Sequence, residues 1–306
     1  TASANDLSLA GNTINLSADG AIKINGSDGY GVGVYQQDLH GTNITLGANA
    51  VNITATDGLS IGSSVYVDQE SITASSGDIT LGNNTLNLSA GDDLSVGGDT
   101  YIYQDSITAN DDLSLGANGI NLSAAGSLTA STYVDIDQES ITASSGDITL
   151  GDNTINLSAG DDLRVGDDVL VVQTGFAADG TISLGSNTMS LNAGGGVTAA
   201  DAWIEQSYLS AGEDLNIGQN TIAITAAGNI ALTNGSDAYI EAGLGIYQGN
   251  LNGDNITLGA NQINLSAGGS ISAAGEVYIV QEQALTDGTL SLSNNTINLT
   301  AADGNV

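Results

Sequence analysis

The sequence predicts an all-β fold, a parallel β-solenoid, and three observations carry that prediction. A motif close to [IL]-x-[LI]-G-x-N-x-[IVLM]-x-[LI] starts at Leu7, Ile44, Ile79, Leu113, Ile148, Ile182, Leu215, Ile256 and Leu290, most often 33 to 35 residues apart. Within each unit, short alternating pieces such as ITL, LNL, LSV and YIYQ are separated by Gly, Asp, Asn and Ser, the pattern of brief half-buried strands joined by tight turns. No segment carries a helical period. Short strands in a repeat of fixed length stack coil on coil, about 4.8 Å apart, so each repeated position becomes a column of like residues. Residues 1–306 therefore read as one continuous solenoid of nine repeats of about 34 residues.

The columns follow from the alignment. Leu9, Leu46, Leu81, Leu115, Leu150, Leu184, Ile217, Leu258 and Leu292 form one inward aliphatic stack. Ile14, Val51, Leu86, Ile120, Ile155, Met189, Ile222, Ile263 and Ile297 form another. Alternation along a strand sends Thr45, Thr80, Ser114, Thr149, Ser183, Thr257 and Ser291 outward.

Two polar columns stand out. Asn12, Asn49, Asn84, Asn118, Asn153, Asn187, Asn220, Asn261 and Asn295 hold one turn position. Gln36, Gln69, Gln104, Gln138, Gln173, Gln206, Gln248 and Gln281 each lie two residues after a β-branched residue, and that parity points them inward. An inward amide without a partner costs a few kcal/mol, whereas amides one coil apart can bond one another as a ladder. Both columns are read as marks that fix strand register.

Coil length decides how the amides pair. One coil per repeat closes the ladders at a single spacing, but its perimeter encloses more space than these small side chains fill, unless the coil is flattened or folded inward. Two coils of about 17 residues fill easily, and ITLGNNTLNL and LSVGGDTYIY align in their apolar spacing. The expectation is two short coils per repeat, with amides bonded to turn backbone.

Insertions interrupt the pattern at 25–33 and 234–245, and Gln36 and Gln248 lie 212 residues apart, which marks a longer super-repeat. Tyr30 and Tyr239 in these insertions are candidate contact residues, with inert loop as the equal alternative. The chain starts and ends within a repeat and shows no polar capping unit. The expectation is that the natural protein continues in both directions or that copies stack end to end.

Composition excludes whole classes of function. Two strong cations, Lys23 and Arg164, stand against 35 carboxylates, a formal charge of -33 that argues against nucleic-acid and anionic-membrane surfaces. Cysteine is absent, which removes disulfides, thiolate metal sites and cysteine nucleophiles. No apolar run approaches the roughly 20 residues of a membrane-spanning helix, so no membrane insertion is expected.

The units GDITLGDNTINLSAGDDLRVG and GGSISAAGEVYIV resemble the haemagglutination-type repeats of filamentous haemagglutinin and other two-partner-secreted bacterial adhesins. That resemblance implies a right-handed β-helix shaft, exported to the cell surface and used in adhesion and biofilm contacts. The glutamine and asparagine columns resemble, more faintly, the amide ladders of curli-like functional amyloids. Open solenoid ends expose unpaired strand edges, so a self-assembling fibre subunit is the alternative.

Single residues bear on the remaining classes of function. His40 is the only histidine, so no multi-histidine site can form, and it reads as a solvated loop residue. Asp135 with Asp137 and the GDD pairs Asp92 with Asp93 and Asp161 with Asp162 are the carboxylate pairs a glycan-cleaving site would need. The GDD pairs recur at one turn, whereas a catalytic dyad is singular. No catalytic residue and no cofactor is assigned. Weak, nonspecific calcium binding at Asp92, Asp93, Asp161 and Asp162 is the one metal expectation, because carboxylates stacked at about 4.8 Å repel by roughly 1 kcal/mol in water, with plain solvated turn aspartates as the favoured alternative. Asn15, Asn52, Asn87, Asn121, Asn156, Asn264 and Asn298 each begin an Asn-x-[Ser/Thr] acceptor pattern, with a plain outward polar residue as the alternative. Regular Ser and Thr columns keep an ice-binding face in view. The resulting expectation is an acidic extracellular shaft without catalysis, with partners either further copies of itself, end to end or lateral, or cell-surface glycans and proteins of a host.

Overall fold

Alternation of aliphatic and polar residues over three- to ten-residue pieces gives strands, and the Gly, Asp and Asn between them give corners. The computed structural model describes residues 2–3, 5–25, 31–233 and 242–306, and among them only strands, bends and irregular connections occur. A representative coil contains the strands Val65–Ala74, Ile79–Leu81, Asn84–Ala90 and Leu94–Val96. Their equivalents in successive repeats form sheets A, B, C and D respectively, with nine strands in A, B and C and eight in D. The protein is a parallel β-solenoid.

Register shows how long a coil is. Ile79 lies opposite Ile44 and Leu113, and Gln104 lies opposite Gln69 and Gln138, so each strand pairs with its equivalents one full repeat away. The expectation of two short coils per repeat is therefore overturned: one repeat is one coil. A perimeter of one full repeat still closes on a filled interior because the coil is pinched. Strand A bends at one residue in every described coil, namely Asp38, Ser71, Ser106, Ser140, Gly175, Tyr208, Asn250 and Gln283, all at positive φ between 52° and 72°. This left-handed residue shifts the inward parity, so that Val65, Val67 and Gln69 point inward before it and Ile72 and Ala74 after it.

The pinch divides the interior into two aliphatic cores. One is lined by sheets C and D and the first half of sheet A, with Leu86, Leu88, Leu94, Val96 and Ile102 buried. The other is lined by sheet B and the second half of sheet A, with Ile79, Leu81, Ile107 and Ala109 buried. Two narrow lobes need only aliphatic side chains to reach close packing, which is why a chain with one Phe and one Trp can fill them. Both inward columns named above are buried through the middle coils, while Leu9, Leu292 and Ile297 on the outermost coils are exposed.

The described residues on either side of the two insertions are equivalent in the coil. The described residues beside them end a strand of sheet D, at Ile24 and Leu232, and begin a strand of sheet A, at Val32 and Ala242. Tyr30 and Tyr239 lie outside the described residues. His40 sits in a strand, Val32–Gly41, and not in a loop, with its side chain outward.

Thr100 tests the packing of the larger core. It occupies an inward position between Val65 and Val134, is fully buried, and its hydroxyl has no partner. Thr100→Val keeps the shape and removes that unpaired hydroxyl, so it is expected to raise the unfolding free energy by about 1 kcal/mol. Denaturant titration checks this; an unchanged or lower midpoint contradicts it.

Candidate functional site

The first site lies inside, at the pinch. Gln69, last of the inward residues before the bend in strand A, meets Asn84, the first residue of strand C. Asn84 Nδ2 donates to Gln69 Oε1 at 2.9 Å and to Asn118 Oδ1 of the next coil at 3.0 Å. Gln104 Nε2 donates back to Gln69 Oε1 at 2.8 Å. The same three bonds recur for Gln104 with Asn118, Gln138 with Asn153, Gln173 with Asn187 and Gln206 with Asn220. Asn49 with Gln36, Asn261 with Gln248 and Asn295 with Gln281 continue the cross-links toward the two ends.

Two ladders of opposite polarity result. Along the asparagines each side-chain amide from Asn12 to Asn220 donates toward the C-terminal coil; along the glutamines each from Gln69 to Gln281 donates toward the N-terminal coil. The asparagine column is thus an inward ladder bonded to the glutamines, and the expectation that amides bond to turn backbone is corrected. From Gln69 to Gln248 and from Asn49 to Asn261 the ladder residues are buried. Chains of bonded amides polarise and strengthen one another.

Further stacks stand outside. On sheet C, Asn52 donates to Asn15, Asn87 to Asn52, Asn121 to Asn87, Asn156 to Asn121 and Asn298 to Asn264, at 2.7 to 3.0 Å. These are the asparagines of the acceptor patterns, and their outward direction is as the parity predicts.

At the corner between sheets C and D the turn aspartates hold backbone. Asp93 Oδ1 accepts from Ser127 N and Asp162 Oδ1 from Gly196 N, each at 2.8 Å and each in the next coil. The carboxylate lies over a glycine of that coil: a Cβ on Gly126 would come within 2.4 Å of Asp93 Oδ1, and one on Gly195 within 2.4 Å of Asp162 Oδ1. Asp92 and Asp161 beside them are exposed. The intervening coil carries Gly126 and Ser127 at these positions, so Asp93 and Asp162 are two coils apart and do not stack at one spacing. Among the described residues no group of three or more acidic or histidine side chains is arranged to hold a metal ion.

The site that sequence reasoning missed is the outer face of sheet A. Tyr35, Tyr66, Tyr101, Tyr103, Tyr247, Tyr278 and Trp203 all project from its strands at outward positions. Tyr66 and Tyr101 stack with centroids 5.4 Å apart and planes 11° apart. Trp203 lies over Gly245, where a Cβ would stand 2.0 Å from its ring, and meets Tyr278 edge-on at 5.2 Å. Carboxylates alternate with these rings: Asp135 is paired with Tyr101 and Asp137 with Tyr103, while Glu70, Asp105 and Glu139 form one stacked column.

Those carboxylates are poorly solvated. Oδ1 of Asp68, Asp135 and Asp137 has neither solvent contact nor a hydrogen-bond partner, although part of each side chain reaches the surface. Burial, then repulsion from Glu70 and Asp105, pushes Asp68 up to about 6. Burial with Asp99 nearby pushes Asp135 to about 7, against a backbone hydrogen bond that lowers it. Burial, then Glu139, Asp135, Asp105 and Glu205, pushes Asp137 to about 8. Glu139 is raised by burial and by Asp105 and Glu205. The signal in the sequence was the replacement of Ser and Thr by Tyr, Asp and Glu on one strand only. Asp135 and Asp137 stand out in the sequence as a pair, whereas the rings around them come from other coils.

Two expectations follow. Gln138→Leu leaves Asn153 Nδ2 and Gln173 Nε2 without the acceptor they share, and should cost about 2–4 kcal/mol of stability, read by thermal or denaturant unfolding. A loss within error of an exposed Gln→Leu change would contradict the spine. Because the folded values of Asp135 and Asp137 lie above their ordinary 3.8, the folded state binds more protons than the unfolded one between about pH 4 and pH 8. Stability should therefore rise as pH falls through that window, by several degrees in Tm, and Asp135→Asn with Asp137→Asn should flatten the slope. A Tm that falls from pH 8 to pH 5 contradicts this.

No protein-family model matches the chain, and no curated protein or solved structure matches it significantly.

Proposed function

We propose that the chain is a rigid shaft segment of an extracellular bacterial adhesin or surface filament, acting by extension and by presenting surface. The observation that carries this reading is the unbroken stack: four parallel sheets and one amide spine run coil on coil from one end to the other. A rod whose every coil bonds to the next through backbone and side chains resists bending. The resemblance of its units to two-partner-secreted adhesin repeats supports the surface location. Cell-surface glycans and proteins are the partners this reading assigns.

A self-assembling fibre subunit is the second reading, favoured by the way each coil joins the next through parallel strand edges and amide ladders, bonds that a coil of another copy could make equally well.

Electron microscopy of producing cells with labelled antibody separates the readings. Single rods projecting from the envelope are expected, lengthening by about 4.8 Å for each added repeat in engineered variants. Long uniform fibres of repeating subunits would favour the second reading. A compact globular particle would contradict both.

A further inference from the structure

We propose that the outer face of sheet A, between Tyr66 and Glu205, is a docking surface for an arginine- or lysine-bearing segment of a partner protein. The inference rests on the shaft reading, since it names what that shaft's surface would hold.

Charge complementarity carries the argument. Asp68, Glu70, Asp105, Asp135, Asp137, Glu139 and Glu205 crowd this face. The chain's only strong cations, Lys23 and Arg164, sit on strands of sheet D. Among the described residues none of these carboxylates has a cationic partner. Repulsion among them is therefore uncompensated within the chain.

A second observation points to a ligand of the same sign. One oxygen each of Asp68, Asp135 and Asp137 is cut off from water and has no hydrogen-bond partner. A carboxylate left in that state is stabilised by an external cation more than a solvated one is, because less water must be displaced and the field is stronger. The turn carboxylates are different: Asp93 and Asp162 already hold backbone N–H groups, and Asp57, Asp92 and Asp161 are exposed to water.

The rings add selectivity for organic cations over a simple counterion. Tyr101 and Tyr103 lie beside Asp135 and Asp137 in register, and Tyr66 stacks on Tyr101. A guanidinium or ammonium can rest on a tyrosine face while its N–H groups reach the adjoining carboxylate, and a planar guanidinium does both best. Neutral sugars could also stack on such rings, but hydroxyl groups would leave the charge uncompensated, so the observations favour the cation. Along a strand the outward positions Tyr101, Tyr103 and Asp105 repeat every second residue, about 6.6–6.8 Å apart. Alternate side chains of an extended peptide have the same rise, so a basic segment lying along the strand would place each second residue over a column.

The test measures binding of a labelled peptide alternating arginine and serine to the whole chain by fluorescence anisotropy, at near-physiological salt and at pH 9, where Asp68, Asp135 and Asp137 are all ionised. One variant carries Asp68→Asn, Asp135→Asn and Asp137→Asn; a charge-matched control carries Asp57→Asn, Asp92→Asn and Asp161→Asn. The face variant should lose at least about tenfold in affinity and the control less than about twofold. Tyr101→Leu with Tyr103→Leu should weaken binding by roughly three- to tenfold with no change in charge. The face variant removes repulsion, so its unfolding midpoint should not fall, and a circular dichroism melt confirms that it is folded. Equal losses in the face variant and the control, or no binding of the peptide, would overturn the proposal. Capture of a neutral oligosaccharide that the face variant retains, in place of the peptide, would also overturn it. None of these outcomes depends on whether microscopy shows rods, so this proposal and the shaft reading fail separately.

Discussion

The structure depends on a hydrogen-bonded wall of amides through its middle. A repeat of about 34 residues folded as one open loop would enclose a wide interior, and this chain lacks the large aromatic side chains to fill it. The Asn–Gln bond draws the middle of sheet A onto the start of sheet C and replaces that interior with two narrow aliphatic lobes. The left-handed residue beside it, from Asp38 to Gln283, turns the strand so that both of its halves face a lobe. A non-glycine residue in that conformation costs roughly 1–2 kcal/mol, and the burial it permits on either side offsets that cost. Take away the amides and the pinch has nothing polar to hold it closed.

The same wall fixes register. A slip by one residue in a strand would turn its aliphatic positions to solvent, and here it would also leave buried amide donors without acceptors. Opposite polarity in the two ladders means that their dipoles oppose each other, so a long stack accumulates little net dipole along its axis. At the corner of sheets C and D, Asp93 and Asp162 repeat the principle on the surface, each reaching forward over a glycine to hold the next coil. This accounts for the pairing of Asp in one coil with Gly in the next, which in the sequence looks like compositional noise.

Much of this was legible from the residues. Columns of identical residues gave the solenoid, the inward parity of Gln69 and its equivalents, and the outward hydroxyls, because strand alternation is a local rule. Three things were not legible, for physical reasons. The asparagines look like turn-formers, since Asn favours turns, and only their partners across the coil reveal them as core. The coil length was misjudged because a perimeter says nothing about a fold inward; the hint was the odd spacing from Gln69 to Ile72, which breaks strand parity. The face of sheet A was overlooked because its residues differ from coil to coil, Tyr101 beside Asp135 beside Leu170. A search for repetition passes over the places where a repeat is used for something else.

The central claim is that Gln and Asn side chains of the same and adjacent coils share acceptors inside the protein. Gln138 Nε2 and Asn118 Nδ2 both donate to Gln104 Oε1, at 2.8 and 2.9 Å. Nuclear magnetic resonance of side-chain amides tests this directly. The account predicts a through-space contact between the Gln138 and Asn118 amide protons, with hydrogen exchange far slower than for the exposed amide of Asn156. Absence of that contact, with both amides exchanging as fast as Asn156, would contradict it.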